Sequence, residues 1–228
     1  MVECPFTEVT VTGVGQGHVS LRWPWWEVDP LAAGVRWNGG VALPTPEQYG
    51  WERSLFRTEP STDALAAGDV CRVGVPPTVM YVVDVQHFEP PLETGWLPRP
   101  ARYLGLLRQG ETHAPGVEEQ TYQLDPAGGE PFRIRLLYRP FACLEPGDEV
   151  ADRDGRAWRF DAAWDWHAFD GGRFGTPAWP LALLARRAGG PTPEEAAAVA
   201  RVTAVGSHAE EVERWSGLAL AEPVALRP

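Results

Sequence analysis

Residues 148–162 read DEVADRDGRAWRFDA, and this stretch decides the fold class. Asp154-Gly155 is a turn dipeptide between two short runs, Val150 before it and Trp158 and Phe160 after it, which predicts a β-hairpin. From Arg156 to Ala162, Trp158 and Phe160 alternate with Arg159 and Asp161, the period-two pattern of a strand with one buried face. Asp152 and Asp154 also invite a calcium-loop reading. That reading fails, because the twelfth position counted from Asp152 is Ala163 rather than a bidentate Glu.

The chain around this hairpin follows the same grammar, short β runs punctuated by 24 Gly and 23 Pro. Thr7–Val14 alternates, with Val9 and Val11 on one face, and His18–Trp23 is a second run. Val79–Val85 is β-branched and nearly continuous, as expected of a strand buried on both faces. Gln120–Leu124 and Phe132–Tyr138 flank the loop DPAGGEP and read as a hairpin with a long tip. Gly13-Val-Gly15-Gln-Gly17 leads into another β run instead of a helix, so it has no helix N-terminus with which to cradle a phosphate.

Helix signals are fewer. Thr192-Pro193-Glu194-Glu195 combines an N-cap, Pro at the first helical position and a capping-box Glu, with a stop at Gly206. Ser207-His208-Ala209-Glu210 starts a second helix that ends at Gly217 and carries Glu210 and Arg214 at i,i+4. Val199 and Val202, then Val212 and Trp215, give each helix an apolar stripe, which predicts an αα-hairpin on the β body. Thr45-Pro46-Glu47-Gln48 predicts a short helix near 46–57, and Trp179-Pro180 opening LALLARRAGG predicts a fourth.

These elements predict a mainly β (α+β) fold: a small antiparallel β-barrel or sandwich body with a C-terminal αα-hairpin. The expected organisation is an N-terminal β module over 1–110, a second β module over 111–180 and a C-terminal helical segment over 181–228. Leu65-Ala-Ala-Gly68-Asp69-Val70 and Leu144-Glu-Pro-Gly147-Asp148-Glu149-Val150 resemble each other. They read either as a generic way into a strand or as the mark of two related barrel modules.

With 228 residues, 44% hydrophobic and 22% charged, the chain has enough apolar material for a core without covalent staples. A net charge of −11 argues against nucleic-acid and anionic-membrane partners, and no apolar run is long enough to span a bilayer. All 20 basic residues are arginine, a bias that codon usage in a GC-rich genome accounts for. Cys4, Cys71 and Cys143 are far apart and odd in number, and no Cys-x-x-Cys pair occurs; reduced thiols, a cytoplasmic location, no structural metal and no cofactor are expected.

The chemistry-bearing candidates lie in two aromatic segments. Asp165 and His167 are two apart on a predicted strand, hence on one face, and could form a general-base pair. The same pair could instead belong to a surface hydrogen-bond network, or His167 could join His87 at a metal. No nucleophile motif or paired metal-ligand motif accompanies them. From Glu145 to Asp170 eight acidic residues face three arginines, and Trp164 and Trp166 sit among them. With Asp152 and Asp154, and with Trp25 and Trp26 of the segment RWPWWEVDP, they form the candidate binding set. The leading expectation is a non-catalytic protein-binding factor (adaptor, inhibitor or immunity-type protein) with a basic protein partner. The rivals are a small-molecule enzyme or ligand-binding barrel using Asp165 and His167 in a Trp-lined pocket, and a structural component of a larger assembly.

Overall fold

The computed structural model describes residues 1–32, 34–48, 54–111, 121–163, 165–172, 175–186 and 189–218. It is mainly β, with 40% strand and 12% helix, and its sheets are antiparallel. The chain divides into two compact units, one from Met1–Leu106 and Tyr122–Arg135, the other from the described parts of Leu107–Thr121 and Leu136–Pro228.

The first unit is organised by one long strand. β1 (Val2–Gly15) turns at Gln16-Gly17 into β2 (His18–Arg22); β3 (Glu27–Val28), β4 (Gly40–Pro44), β5 (Arg57–Glu59), β6 (Val70–Thr78), β7 (Met80–His87) and β8 (Trp96–Leu97) follow. β9 (Arg102–Arg108), β10 (Tyr122–Leu124) and β11 (Arg133–Ile134) complete the set. The main sheet has the order β4-β2-β1-β6-β5, with β11 also on β1; β10-β9-β7 and β3-β8 are smaller sheets. β1 serves several partners because register shifts at Val2/Cys4, Cys4/Thr7 and Val11/Gly13 let it bend away from one and toward the next. Val9, Val11, Val19, Leu21, Trp23, Leu43, Leu65, Cys71 and Val73 bury against one another, so the alternation read in Thr7–Val14 is the core face of β1.

The second unit contains the hairpin β12 (Asp148–Ala151) and β13 (Ala157–Ala162), then β14 (Asp165–Ala168) and β15 (Ala182–Ala185), in the order β14-β13-β12-β15. Val150 pairs with Trp158, and Gly155 takes a φ of 82° in the turn between the strands. Two helices follow, α1 (Pro193–Thr203) and α2 (His208–Ser216). Thr192 caps α1 with a full capping box and Ser207 caps α2 by accepting from the Glu210 amide.

Several expectations are corrected. Residues 182–185 form a strand: Leu181 and Leu183 alternate inward, and Ala182, Leu183 and Ala185 pair onto β12, a run too short to compete as a helix. Of the helix expected near 46–57, residues 49–53 lie outside the described residues; 46–48 are a turn and Arg57 already begins β5. β10 and β11 pair with β9 and β1, so DPAGGEP links two sheets of the first unit instead of closing a hairpin. β7 ends its sheet among the described residues and its Val82 and Val85 are exposed, so the run is not covered on both faces. In α1 the buried stripe runs Val199–Thr203, with the Thr203 hydroxyl satisfied by the Val199 carbonyl at 2.8 Å, and Val202 faces out. Arg214 pairs with Glu211 at i,i+3 rather than with Glu210.

The two Leu-x-x-Gly-Asp segments share one local geometry. Gly68 and Gly147 have φ of 93° and 91°, and each following Asp carboxylate accepts the amide three residues back, Ala66 at 2.7 Å and Glu145 at 2.8 Å. The pairing beyond them differs: β12 forms a hairpin with the next strand, whereas β6 and β7 belong to different sheets.

Two substitutions test these packings. At Gly74 an added Cβ would sit 2.8 Å from the Cys4 carbonyl oxygen and 2.9 Å from the Phe6 Cα, both backbone atoms of β1. Gly74→Ala is therefore expected to lower stability by about 1–3 kcal/mol in chemical denaturation. Trp215→Ala, which removes a buried indole from α2, is expected to cost about 3–5 kcal/mol in the same measurement.

Candidate functional site

Asp165 and His167 do share one face of β14, and that face is open to solvent. His167 lies across from Arg159, which lies across from Glu149, so a row of Glu149, Arg159 and His167 crosses the sheet. Arg159 is held bidentate by Asp161, with both contacts at 2.7 Å. No hydrogen bond joins Asp165 to His167 among the described residues, and the ring next to His167 is Phe169 at 6.1 Å, edge-on. Among the described residues, then, no carboxylate is hydrogen-bonded to the His167 imidazole, which is exposed. No group of three His, Cys, Asp or Glu side chains among the described residues could hold a metal ion.

The acidic segment is largely spent inside its own unit. Asp148 is fully buried and pairs with Arg186 at 3.0 Å. Asp152 is buried in the hairpin turn, where one carboxylate oxygen accepts from the Asp154 and Arg156 amides and the other from Trp158 Nε1 at 2.9 Å and the Ala178 amide at 3.5 Å. Burial alone would raise the Asp152 carboxyl, but the bonds from Trp158, Arg156, Ala178 and Asp154 outweigh it and hold it below the usual carboxylate range. Asp170 binds Arg156 through both oxygens, and that guanidinium together with the Gly172 amide lowers its carboxyl to about 2. The same guanidinium lies 4.3 Å over the buried Trp158 ring. Glu149, Asp154 and Asp165 lie on the outer side of this unit, with Asp154 only loosely approached by Arg153 at 3.8 Å.

Of the expected tryptophans in this segment, Trp164 lies outside the described residues. Trp166 is half-buried and packs against Phe160, Phe141 and His208. Asp152 and Trp166 thus have structural partners, while Asp154 is exposed.

Trp25 and Trp26 are placed differently. Trp23 ends the buried face of β2, and Pro24 breaks the strand so that the next two indoles leave the ladder and lie over the core edge. Trp25 stacks on Phe56 at 5.6 Å, and Trp26 sits 5.6 Å from both Trp23 and Trp96. Trp37 then meets Trp96 edge-on at 5.1 Å. Trp26 Nε1 donates to the Glu130 carboxylate and Trp37 Nε1 to the Gly40 carbonyl. Trp25, Trp26, Trp37 and Trp96 are each half-buried, so part of every ring faces water.

The loops that carry these indoles are tied together by an ion pair between the buried Asp29 and the partly exposed Arg99. The Asp29 carboxylate accepts the Leu31 amide and takes the Arg99 guanidinium at 2.6 Å, and Asp29 N donates to the Gly95 carbonyl. The Leu31 amide and then Arg99 keep the Asp29 carboxyl below its usual range. Around this tie Leu31, Val35 and Leu92 expose their side chains, Leu31 to 81%. Trp37, Trp96, Asp29 and Arg99 escaped the sequence reading because they are scattered over 71 residues, and only the tertiary pairing of β3 with β8 brings them together. The one available signal is that Asp29 and Arg99 both flank prolines in Trp-bearing loops.

Comparison with family models, with curated proteins and with solved structures finds no significant match.

Removing the Asp152 carboxylate strands a buried indole N–H, so Asp152→Ala is expected to cost about 2–4 kcal/mol in denaturant unfolding while Asp154→Ala stays within about 0.5 kcal/mol. Because the Asp170 carboxyl is lowered in the folded state, its contribution is complete at neutral pH and is lost as pH falls from the ordinary value of 3.8 toward about 2. An Asp170→Asn variant should lose that part of the acid dependence in a pH series of melting curves.

Proposed function

We propose that the chain is a non-catalytic protein-binding factor whose contact surface is the aromatic platform of the first unit. One observation carries the reading: four half-buried indoles and the exposed Leu31, Val35 and Leu92 lie on three segments around the paired β3 and β8, tied by the ion pair of the buried Asp29 with the partly exposed Arg99. Exposed apolar side chains held rigidly lose little entropy on docking, and tryptophans on such a surface are the residue type that most often dominates an interface. A net charge of −11 favours a partner of basic character through encounter rate. The three free cysteines fit a reducing, cytoplasmic setting. We read the main sheet of the first unit as tending toward a small barrel, since the register shifts along β1 add bend and twist.

The enzyme reading has less support, because Asp165 and His167 are exposed and unconnected. The acidic row of the second unit is the alternative contact surface and serves as the control. Partner retention from native extract should be compared for wild type, for Leu31→Asp and Trp25→Ala, and for Glu149→Arg with Asp165→Arg, each with its melting temperature. The platform variants are expected to weaken retention by about 2 kcal/mol or more, roughly thirtyfold, with the fold intact. Loss only in the Glu149/Asp165 variant would move the contact surface to the second unit. Retention unchanged in all variants would overturn the platform as the contact surface, and no retained partner even for wild type would overturn the binding reading.

A further inference from the structure

Within the second unit the loop 138–144 is held in an unusual conformation by α2. Phe141 is the one non-glycine residue among those described with a positive φ, 51°. Its amide donates to the Glu211 carboxylate at 3.1 Å, and the same carboxylate accepts from the Tyr138 hydroxyl and pairs with Arg214. The Phe141 ring is thereby set at the centre of an aromatic group made by Phe160, Trp166, Trp179 and His208. His208, the first residue of α2, stacks on Phe141 at 5.1 Å and 22° and meets the Trp166 ring at 5.9 Å. Its Nδ1 is buried and has no hydrogen-bond partner among the described residues.

We propose that α2 is an acid-released latch, docked only while the His208 imidazole is neutral. A neutral ring can leave Nδ1 without a proton. The charged ring must carry N–H on both nitrogens, which sets a cationic donor in a buried position with no acceptor. The N-terminal end of a helix, where His208 sits, also carries the positive pole of the peptide dipoles.

Among the described residues the surrounding groups do not compensate. On α2 itself, Glu211 is engaged by Tyr138, the Phe141 amide and Arg214, and the Glu210 amide is bonded to Ser207. Tyr138, Cys143 and the exposed Arg139, itself a cation, are the titratable and charged groups in the loop beneath. Arg159, Asp161, Asp165 and His167 alternate to the opposite face of β13 and β14 from Phe160 and Trp166. The segment around Trp179 bears no charge between 175 and 181. Burial lowers the His208 imidazole from 6.5 to about 4. The sign follows: docking is independent of this group above pH 6.5, weakens as pH falls below 6.5, and has lost the whole contribution below about 4. Release of α2 frees the Phe141 amide from Glu211, so the positive-φ residue relaxes and the latch does not close again while the ring is charged.

The test is amide hydrogen exchange of residues 208–216 in the full chain from pH 7.5 to 4, each rate normalised to its intrinsic chemical rate. The protection factor of α2 should fall by up to about tenfold per pH unit below pH 6.5 while that of β12 and β13 holds. In His208→Phe, which keeps the stacked ring without the proton, the α2 profile should be flat. An equal fall in His208→Phe, or no fall in wild type, overturns the latch. Should that variant fail to fold, the ring C–H resonances of wild type decide. Titration of His208 well below 6.5, in step with α2 exchange, supports the latch; titration near 6.5 overturns it.

Discussion

A carboxylate withdrawn from water must be given donors, and this constraint shapes both units. Asp29, Asp148 and Asp152 are the buried acids, and each sits at a turn where backbone amides already point inward. Each then recruits one side-chain donor from elsewhere in the chain: Arg99, Arg186 and the Trp158 indole, respectively. The turn fixes the acid and the acid fixes the distant donor, so a local feature becomes a tertiary tie. Removing the donor would leave the carboxylate buried and short of a partner, which is more costly than the pair is favourable.

The same constraint decides what reaches the surface. Between Glu145 and Asp170 the acids look like an anionic face, yet Asp148 and Asp152 are interior and Asp161 and Asp170 are clasped by arginines. What remains outward is a thin row around Arg159. In the first unit the Asp29–Arg99 tie has the opposite effect, holding aromatic loops so that Trp25, Trp26, Trp37 and Trp96 are each partly in water. The surface we propose for contact is therefore the aromatic one of the first unit.

What could be read from the sequence was local. The Asp-Gly hairpin, the Thr192 and Ser207 caps and the alternation at Val9 and Val11 depend on residues within one turn or one strand, and the structure has them. Residues 182–185 were not legible because LALLARRAGG has no decisive period; β12 supplies the ladder that makes it a strand. Val202 reads as inward from sequence because a stripe of Val199 and Val202 and one of Val199 and Thr203 differ by one residue, and a buried hydroxyl bonded to its own helix makes the second possible. Of the candidate site, Trp25 and Trp26 were visible as a doublet after a proline, whereas Trp37, Trp96 and the Asp29–Arg99 tie exist only once β3 meets β8.

The partition of the indoles tests this account most directly. Limited oxidation of the folded protein with N-bromosuccinimide, followed by peptide mapping, ranks each tryptophan by its access to water. Trp25, Trp26, Trp37 and Trp96 should be oxidised first, with Trp23, Trp158 and Trp215 spared until the fold is lost. Oxidation of Trp158 as early as Trp25, or protection of the four platform indoles in the isolated protein, would contradict it.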